Sequence, residues 1–138
     1  MQTKVDTKRN TNVILCVDDE VIGLEVRKAL LESRGYRVLT AENGPDALVL
    51  FSLEAMDLVV LDYRMPEMNG DIVASRMKEL RPDLPIIMLS AYVDLPSETL
   101  ALVDRVVMKG GPPTVLLDTI TALLGDRLSV CPRMISAE

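Results

Sequence analysis

Short apolar runs alternate with longer stretches in which apolar positions recur every three or four residues. The short runs cover 13–17, 37–41, 58–61, 86–89 and 105–108. Runs of this length rich in Val, Ile and Leu read as β-strands, and the first, third and fourth are almost unbroken, the mark of strands covered on both faces. The stretches between them have a helical period. Residues 21–33 place Ile22, Val26, Ala29 and Leu30 on one helix face. Gly44 caps a second helix with Pro45 in its first position, where the missing N–H costs nothing, and that helix runs on through Leu48 and Phe51. A third helix is predicted over 69–80, ended by Arg81-Pro82, a short fourth over 96–103, and a fifth over 113–124 with Gly125 after its end.

Five strands alternating with five helices predict an α/β protein: a doubly wound, five-stranded parallel sheet with helices on both faces, joined by right-handed crossovers. The strand order 2-1-3-4-5 is adopted from a common order of such sheets and does not follow from this sequence. In sheets of this kind ligands bind beyond the carboxyl ends of the strands, near the switch point between strands 1 and 3. Residues 11–125 make up the expected folded unit. Residues 1–10 are a polar N-terminal extension and 126–138 a C-terminal tail, with no repeat, linker or second domain legible in the sequence.

Composition narrows the function. With 138 residues, 49% hydrophobic and 26% charged, the chain suits one ordinary core and not a disordered segment. No apolar run approaches the roughly 20 residues of a membrane helix, and the polar first dozen residues have no signal-peptide character, so a cytoplasmic location away from the membrane is expected. The net charge is −6 and no basic run stands out, so direct nucleic-acid binding is not expected. Histidine is absent, which removes the commonest general base and metal ligand and any phosphohistidine on this chain. Aromatics are 3%, too few for base or flavin stacking. Cys16 and Cys131 lie far apart without zinc spacing; Cys16, inside an apolar run, reads as a buried free thiol.

The chemistry lies at the strand ends. Asp18, Asp19 and Glu20 directly follow strand 1, and Asp62 follows strand 3. Neighbouring strands would gather these acids at one edge of the sheet, where each carboxylate raises the pKa of the next unless a cation is present. Acids beside a helix start can simply complement its dipole, but together with Asp62 in the crevice they suit a hard divalent ion such as Mg²⁺. Ser90 follows strand 4 and Lys109 follows strand 5. Each is an ordinary surface residue when taken alone. A hydroxyl and an ammonium beside three acids suit phosphoryl transfer, with the metal and Lys109 neutralising phosphoryl charge, Ser90 donating a hydrogen bond and Asp62 attacking.

The pattern Val17-Asp18-Asp19-Glu20, then Leu61-Asp62-Tyr63-Arg64-Met65-Pro66-Glu67-Met68-Asn69-Gly70, then Leu89-Ser90-Ala91-Tyr92, then Lys109 resembles the response-regulator receiver domains of two-component signal transduction. The resemblance covers about residues 12–124 and implies a flavodoxin-like (βα)5 receiver. It further implies that Asp62 accepts a phosphoryl group from a sensor histidine kinase or histidine phosphotransfer protein. By the same resemblance Mg²⁺ is held by Asp19, Asp62 and the backbone carbonyl of Arg64, with Asp18 acting largely through water, while Ser90 and Lys109 contact the phosphoryl oxygens. The donor histidine would belong to the partner and the output would be contact with another, unknown protein. Such a chain catalyses only its own phosphorylation and dephosphorylation and is not otherwise an enzyme.

Two positions depart from the family pattern. Val106 stands where an aromatic residue is usual, and Gly110-Gly111 follow Lys109 where a proline with a cis bond is usual. A cis bond before a non-proline residue costs roughly 2.5–4 kcal/mol, so Lys109–Gly110 is expected to be trans, with Lys109 less firmly aimed than usual. Val106 has one side-chain torsion and no ring, so Tyr92 either reads movement of the loop after strand 4, the expectation adopted, or merely shields the phosphoryl group from water in a receiver with almost no conformational switch. A pseudo-receiver that binds a partner without phosphorylation is the alternative reading, and the complete set of five site residues argues against it. An aspartyl phosphatase would need an acid where Arg64 stands and a cap that no insertion supplies. A flavodoxin-like electron carrier would need a Gly, Ser or Thr phosphate loop where the acids lie. Helix 5 is expected to bury Leu116, Leu117, Ile120 and Leu124. It has no Arg or Lys between Thr114 and Gly125, so a charge-paired dimer through helix 4, strand 5 and helix 5 is not expected.

Overall fold

The computed structural model describes residues 12–92 and 94–125. The extensions expected at 1–10 and 126–138, with Cys131, lie outside the described residues. Five strands, β1 (Val13–Val17), β2 (Arg37–Ala41), β3 (Leu58–Asp62), β4 (Ile86–Ser90) and β5 (Arg105–Met108), form one parallel sheet in the order β2-β1-β3-β4-β5. The connecting helices are α1 (Val21–Ser33), α2 (Gly44–Leu53), α3 (Gly70–Leu80), α4 (Ser97–Leu100) and α5 (Pro113–Ile120), the last continued by a π-helical turn, Thr121–Gly125. The adopted order is therefore the observed one, and the fold is the flavodoxin-like receiver fold.

Alternation along the strands divides the core into two layers, because successive side chains point to opposite faces. Leu15, Val17, Val59, Leu61, Ile86 and Met88 pack toward Ala47 and Phe51 of α2 and Val73, Ala74 and Met77 of α3. Ile14, Cys16, Leu58, Val60, Ile87 and Leu89 pack toward Leu24 and Leu31 of α1 and Leu116, Leu117 and Ile120 of α5. Leu124 is buried with them, Cys16 is a buried free thiol, and burial pushes that thiol up to about 12. No helix among the described residues is long and apolar enough to cross a membrane.

Four differences from the sequence reading have physical causes. β3 and β4 each run one residue further than predicted, so Asp62 and Ser90 are the last residues of their strands and the ladder fixes their backbones. The third helix begins at Gly70, with Asn69 outside it bonding the Met65 N–H at 3.0 Å. The fourth helix is four residues long, its backbone passing into i→i+3 turn bonds at Leu102 and Val103; beyond it Asp104 Oδ1 accepts from the Ile86 N–H at 2.9 Å and from Lys78 Nζ at 3.0 Å, fixing the chain entering β5 against β4. Most of the apolar face expected for α1 points outward, with Ile22 81% and Val26 64% exposed, while Leu30 packs partly against the core and Leu24 and Leu31 go fully in. Arg27 lies on the inward side between those two leucines and interrupts the apolar stripe that would have marked it.

Gly70 shows how tightly α3 enters against β3. Its N–H donates to the Tyr63 carbonyl at 2.7 Å, and a Cβ there would collide with the Asp62 carbonyl and stand 3.0 Å from Met88 Sδ. The obstructing carbonyl belongs to the sheet and cannot withdraw. Gly70→Ala is therefore expected to destabilise the protein by about 1–3 kcal/mol in urea unfolding, although alanine is the better helix former. An unchanged midpoint would show that the β3–α3 junction has slack.

Candidate functional site

The parallel register brings four strand ends to one edge of the sheet, and each delivers one side chain of the site. Asp18 leaves β1 with its N–H still bonded to the Ala41 carbonyl at 3.2 Å, and its side chain is fully buried. Asp62 ends β3 and is 2% exposed. Ser90 ends β4 and is buried. Lys109 follows β5, its N–H bonded to the Ser90 carbonyl at 2.8 Å. Gly110 then turns the chain away at φ 87°, a conformation that costs glycine little.

Lys109 ties these ends together. Its Nζ lies 2.9 Å from Asp62 Oδ2, 3.2 Å from Asp18 Oδ2 and 3.1 Å from Glu20 Oε1. Among the described residues there is no cis peptide bond, so Lys109–Gly110 is trans as expected. A backbone bond to Ser90 ties Lys109 to β4, and three carboxylates surround its amine. Asp19 is exposed at the rim, and ligand oxygens of Asp18, Asp19 and Asp62 lie within 4.8 Å of one another. This cluster could hold a metal ion.

Asp19, Glu20, Asp62, Arg64, Ser90, Ala91, Tyr92, Lys109 and Gly110 line a cavity of about 380 Å³ above the acids. The Arg64 guanidinium stands over the Tyr92 ring, 5.3 Å from its centroid, so the loops after β3 and β4 meet across this cavity. Ser90 Oγ donates to the Tyr92 carbonyl and accepts from the Tyr92 N–H, both at 2.9 Å. The hydroxyl is thus engaged by its own loop. Val106 is partly exposed on β5.

Burial and charge separate the two inner acids. Burial pushes the Asp62 carboxyl up to about 6, helped by the Asp18 charge and opposed by Lys109. Burial also works against an ionised Asp18, but the Glu20 N–H, Lys109 and Arg27 together outweigh it and hold Asp18 below the usual carboxylate range. Burial pulls the Lys109 ammonium down, and its bonds to Asp62 and Glu20 and the charges of Asp62 and Asp18 more than reverse this.

Asp18, Asp19, Asp62, Ser90 and Lys109, the five residues expected from the sequence, lie together at one end of the sheet, and two further side chains join them. Glu20, expected only as one of the acids after strand 1, pairs with Lys109. Arg27, which the sequence pattern does not single out, has its Nη1 3.2 Å from Asp18 Oδ2. The available signal was a charged residue at the position three after Leu24, on the side of α1 that the leucines bury.

Comparison with known proteins agrees with this geometry. The family model described as "Response regulator receiver domain" matches residues 14–120, and the chain belongs to that family, the receivers of two-component systems. It is 38% identical over 118 residues to the probable transcriptional regulator ycf27 of Cyanophora paradoxa, a match covering 83% of this chain and 49% of that protein. It is 36% identical over 88 residues to the transcriptional regulatory protein GlrR of Escherichia coli (strain K12), covering 64% and 20% respectively. The chain thus spans about half of the first relative and a fifth of the second. Among solved structures it resembles a CheY-like receiver domain protein from Methanospirillum hungatei JF-1, with TM-score 0.81 and 29% identity, covering 87% of this chain and 98% of that one. It also resembles the response regulator TrrA from Thermotoga maritima in complex with Mg(2+)-BeF, with TM-score 0.79 and 36% identity, covering 83% and 100%. Receivers of this family are signalling modules and not conventional enzymes.

The raised Asp62 carboxyl has a consequence for stability. Its proton is held more tightly in the folded chain, at about 6, than at its ordinary value of 3.8. Folding therefore gains from this group below that ordinary value and loses the gain as pH rises toward 6. Without divalent ions, Asp62→Asn is expected to be more stable than wild type at pH 7.5 by roughly 1–2 kcal/mol, a margin that shrinks as pH falls through about 6 and is gone near pH 4. Thermal melts in chelator across that range check it. A variant less stable than wild type at pH 7.5 would contradict the assignment of strain to Asp62.

Proposed function

We propose that this chain is a phosphoacceptor receiver in a two-component phosphorelay. In this reading residues 11–125 form the receiver and Asp62 accepts the phosphoryl group. The supporting observation is the meeting of Asp62, Asp18 and Asp19 with the Lys109 ammonium, 2.9 Å from the Asp62 oxygen, at the end of the sheet where this family carries its site. The donor set fits the metal. Three carboxylates offer only hard oxygen atoms, with no nitrogen or sulfur ligand among them, and that favours Mg²⁺. Asp18, Asp19, Asp62 and the backbone carbonyl of Arg64 are the groups that would hold it, and TrrA, 36% identical, is a relative in complex with Mg(2+)-BeF. When bound, Mg²⁺ supplies positive charge that offsets repulsion between the carboxylates and the incoming phosphoryl oxygens.

The chain's residues then divide the work. An Asp62 carboxylate oxygen forms the new bond to phosphorus as the phosphorus–nitrogen bond of a phosphohistidine breaks, its electron pair returning to the imidazole. That histidine belongs to a sensor histidine kinase or histidine phosphotransfer protein, since this chain has none. Lys109 exchanges a carboxylate partner for a phosphoryl oxygen, a short movement for an ammonium already at Asp62. Ser90 must release the Tyr92 carbonyl before it can donate to the phosphoryl group, so its movement pulls on the loop after β4. Val106 offers no ring to turn inward, and Tyr92, beneath Arg64, becomes the group whose displacement a partner would read. The output is an altered contact with another protein and not direct binding of nucleic acid. A cytoplasmic location, off the membrane surface, suits both exchanges. Catalysis is limited to the chain's own phosphorylation and dephosphorylation.

Incubation with a small-molecule phosphodonor and Mg²⁺, read by intact mass, tests this reading. Wild type is expected to gain one phosphoryl mass, Asp62→Asn none, and chelation to abolish the gain. A wild type that gains nothing, under conditions in which a known receiver does, would favour a partner-binding pseudo-receiver. Addition to Asp62→Asn would place the acceptor elsewhere.

A further inference from the structure

Arg27 is the charged residue that α1 turns toward the sheet. Leu24 and Leu31, 2% and 0% exposed, bury the same side of the helix. The Arg27 side chain is only 13% exposed, and its Nη1 lies 3.2 Å from Asp18 Oδ2. Long helical side chains lean toward the helix N-terminus over the residue four positions back, and here that residue is Gly23. A Cβ on Gly23 would already touch Arg27 Nη2 at 3.9 Å, so a larger side chain would obstruct the reach to Asp18. Arg27 also lines a groove of about 290 Å³ whose walls include Leu30, Leu89, Val107 and Leu116. These apolar side chains offer no rival acceptor, and a guanidinium this little exposed needs an anion.

Asp18 therefore carries two cations of different kinds. Oδ1 accepts from the Glu20 N–H at 2.9 Å and from Lys109 at 3.3 Å, and Oδ2 accepts from Arg27 and again from Lys109. Lys109 is shared with Asp62 and Glu20, whereas among the described residues the side-chain bonds of Arg27 go to Asp18 alone. We infer that Arg27 is a positioning residue that acts through Asp18: it remains the counter-ion of Asp18 when Lys109 turns to the phosphoryl group, and its charge weakens the hold of the site on Mg²⁺. This rests on the Mg²⁺ reading of the acid cluster given above. Two effects compete when Arg27 is removed. The site becomes more negative, which favours a divalent cation, and Asp18 loses an anchor, which disfavours it. The Glu20 N–H, Lys109 and the surrounding burial still hold Asp18, so charge prevails.

The test is titration of the full chain with Mg²⁺ alone, by calorimetry or by tyrosine emission, in wild type and three variants. Arg27→Met is expected to bind Mg²⁺ roughly three- to tenfold more tightly than wild type, the effect of removing one positive charge a few ångströms from a divalent ion in a partly screened site. Arg27→Lys keeps the charge without the fork and is expected to stay within about twofold of wild type. In chelator Arg27→Met is expected to melt below wild type and to recover more on adding Mg²⁺. Arg27→Gln, which retains a donor without charge, gives the same comparison should the methionine variant not fold. Unchanged or weaker Mg²⁺ binding in a folded Met or Gln variant overturns the inference and leaves the receiver reading standing. A wild type that binds no Mg²⁺ overturns the metal reading itself, and this inference with it.

Discussion

The ammonium of Lys109 is shared among Asp62, Asp18 and Glu20, and the arrangement of the site depends on that sharing. Carboxylates this close repel one another, and two of them are almost wholly buried. Buried ion pairs of this sort give little net stability, because desolvation consumes most of the attraction. The cluster is better understood as charge set out in advance for a ligand that brings its own. Asp62 bears most of the resulting strain, held with its carboxyl raised while Asp18 is held low. An oxygen nucleophile kept in place at some expense, beside a cation able to change partners, suits an acceptor of phosphoryl groups.

That placement follows from the sheet. Parallel strands in register end together, and the pairing of Val17 with Leu61, Asp62 with Leu89 and Ser90 with Met108 puts the site residues at one edge without any long loop. Asp62 and Ser90 are the last paired residues of their strands, so the ladder positions their backbones. The contact between Arg64 and Tyr92 joins the loops after β3 and β4, and the bonds of the Ser90 hydroxyl to Tyr92 connect one of them to the interior. A hydroxyl that moves toward a phosphoryl group must therefore disturb this pair, whatever residue stands at Val106.

Much of this was legible in the sequence, for reasons that also explain the failures. Short, nearly unbroken runs of Val, Ile and Leu suit strands buried on both faces, so β1, β3 and β4 stood out, and the acids after β1 and at the end of β3 pointed to the ligand side of the sheet. The inward face of α1 was misread because one of its positions is Arg27. A charged residue on a buried face breaks the apolar period that pattern reading relies on, and its partner, Asp18, lies on another element. The same limit hid the carboxylates around Lys109, which come from two other strand ends and the start of α1, while the residues that follow it in sequence are glycines. The strand order was not legible either, since it depends on which strands pair and the sequence records only which strands exist.

The most direct test of this account is a structure of the chain with Mg²⁺ and a beryllofluoride mimic of the phosphoryl group. Lys109 Nζ is predicted to leave Glu20 and bond the mimic on Asp62, with Ser90 Oγ turned from the Tyr92 carbonyl toward the same group and Arg27 still on Asp18. A mimic bound at Asp62 while Lys109 keeps all three carboxylates and Ser90 keeps Tyr92 would contradict the claim that the Lys109 bridge is the part of the site that phosphorylation rearranges.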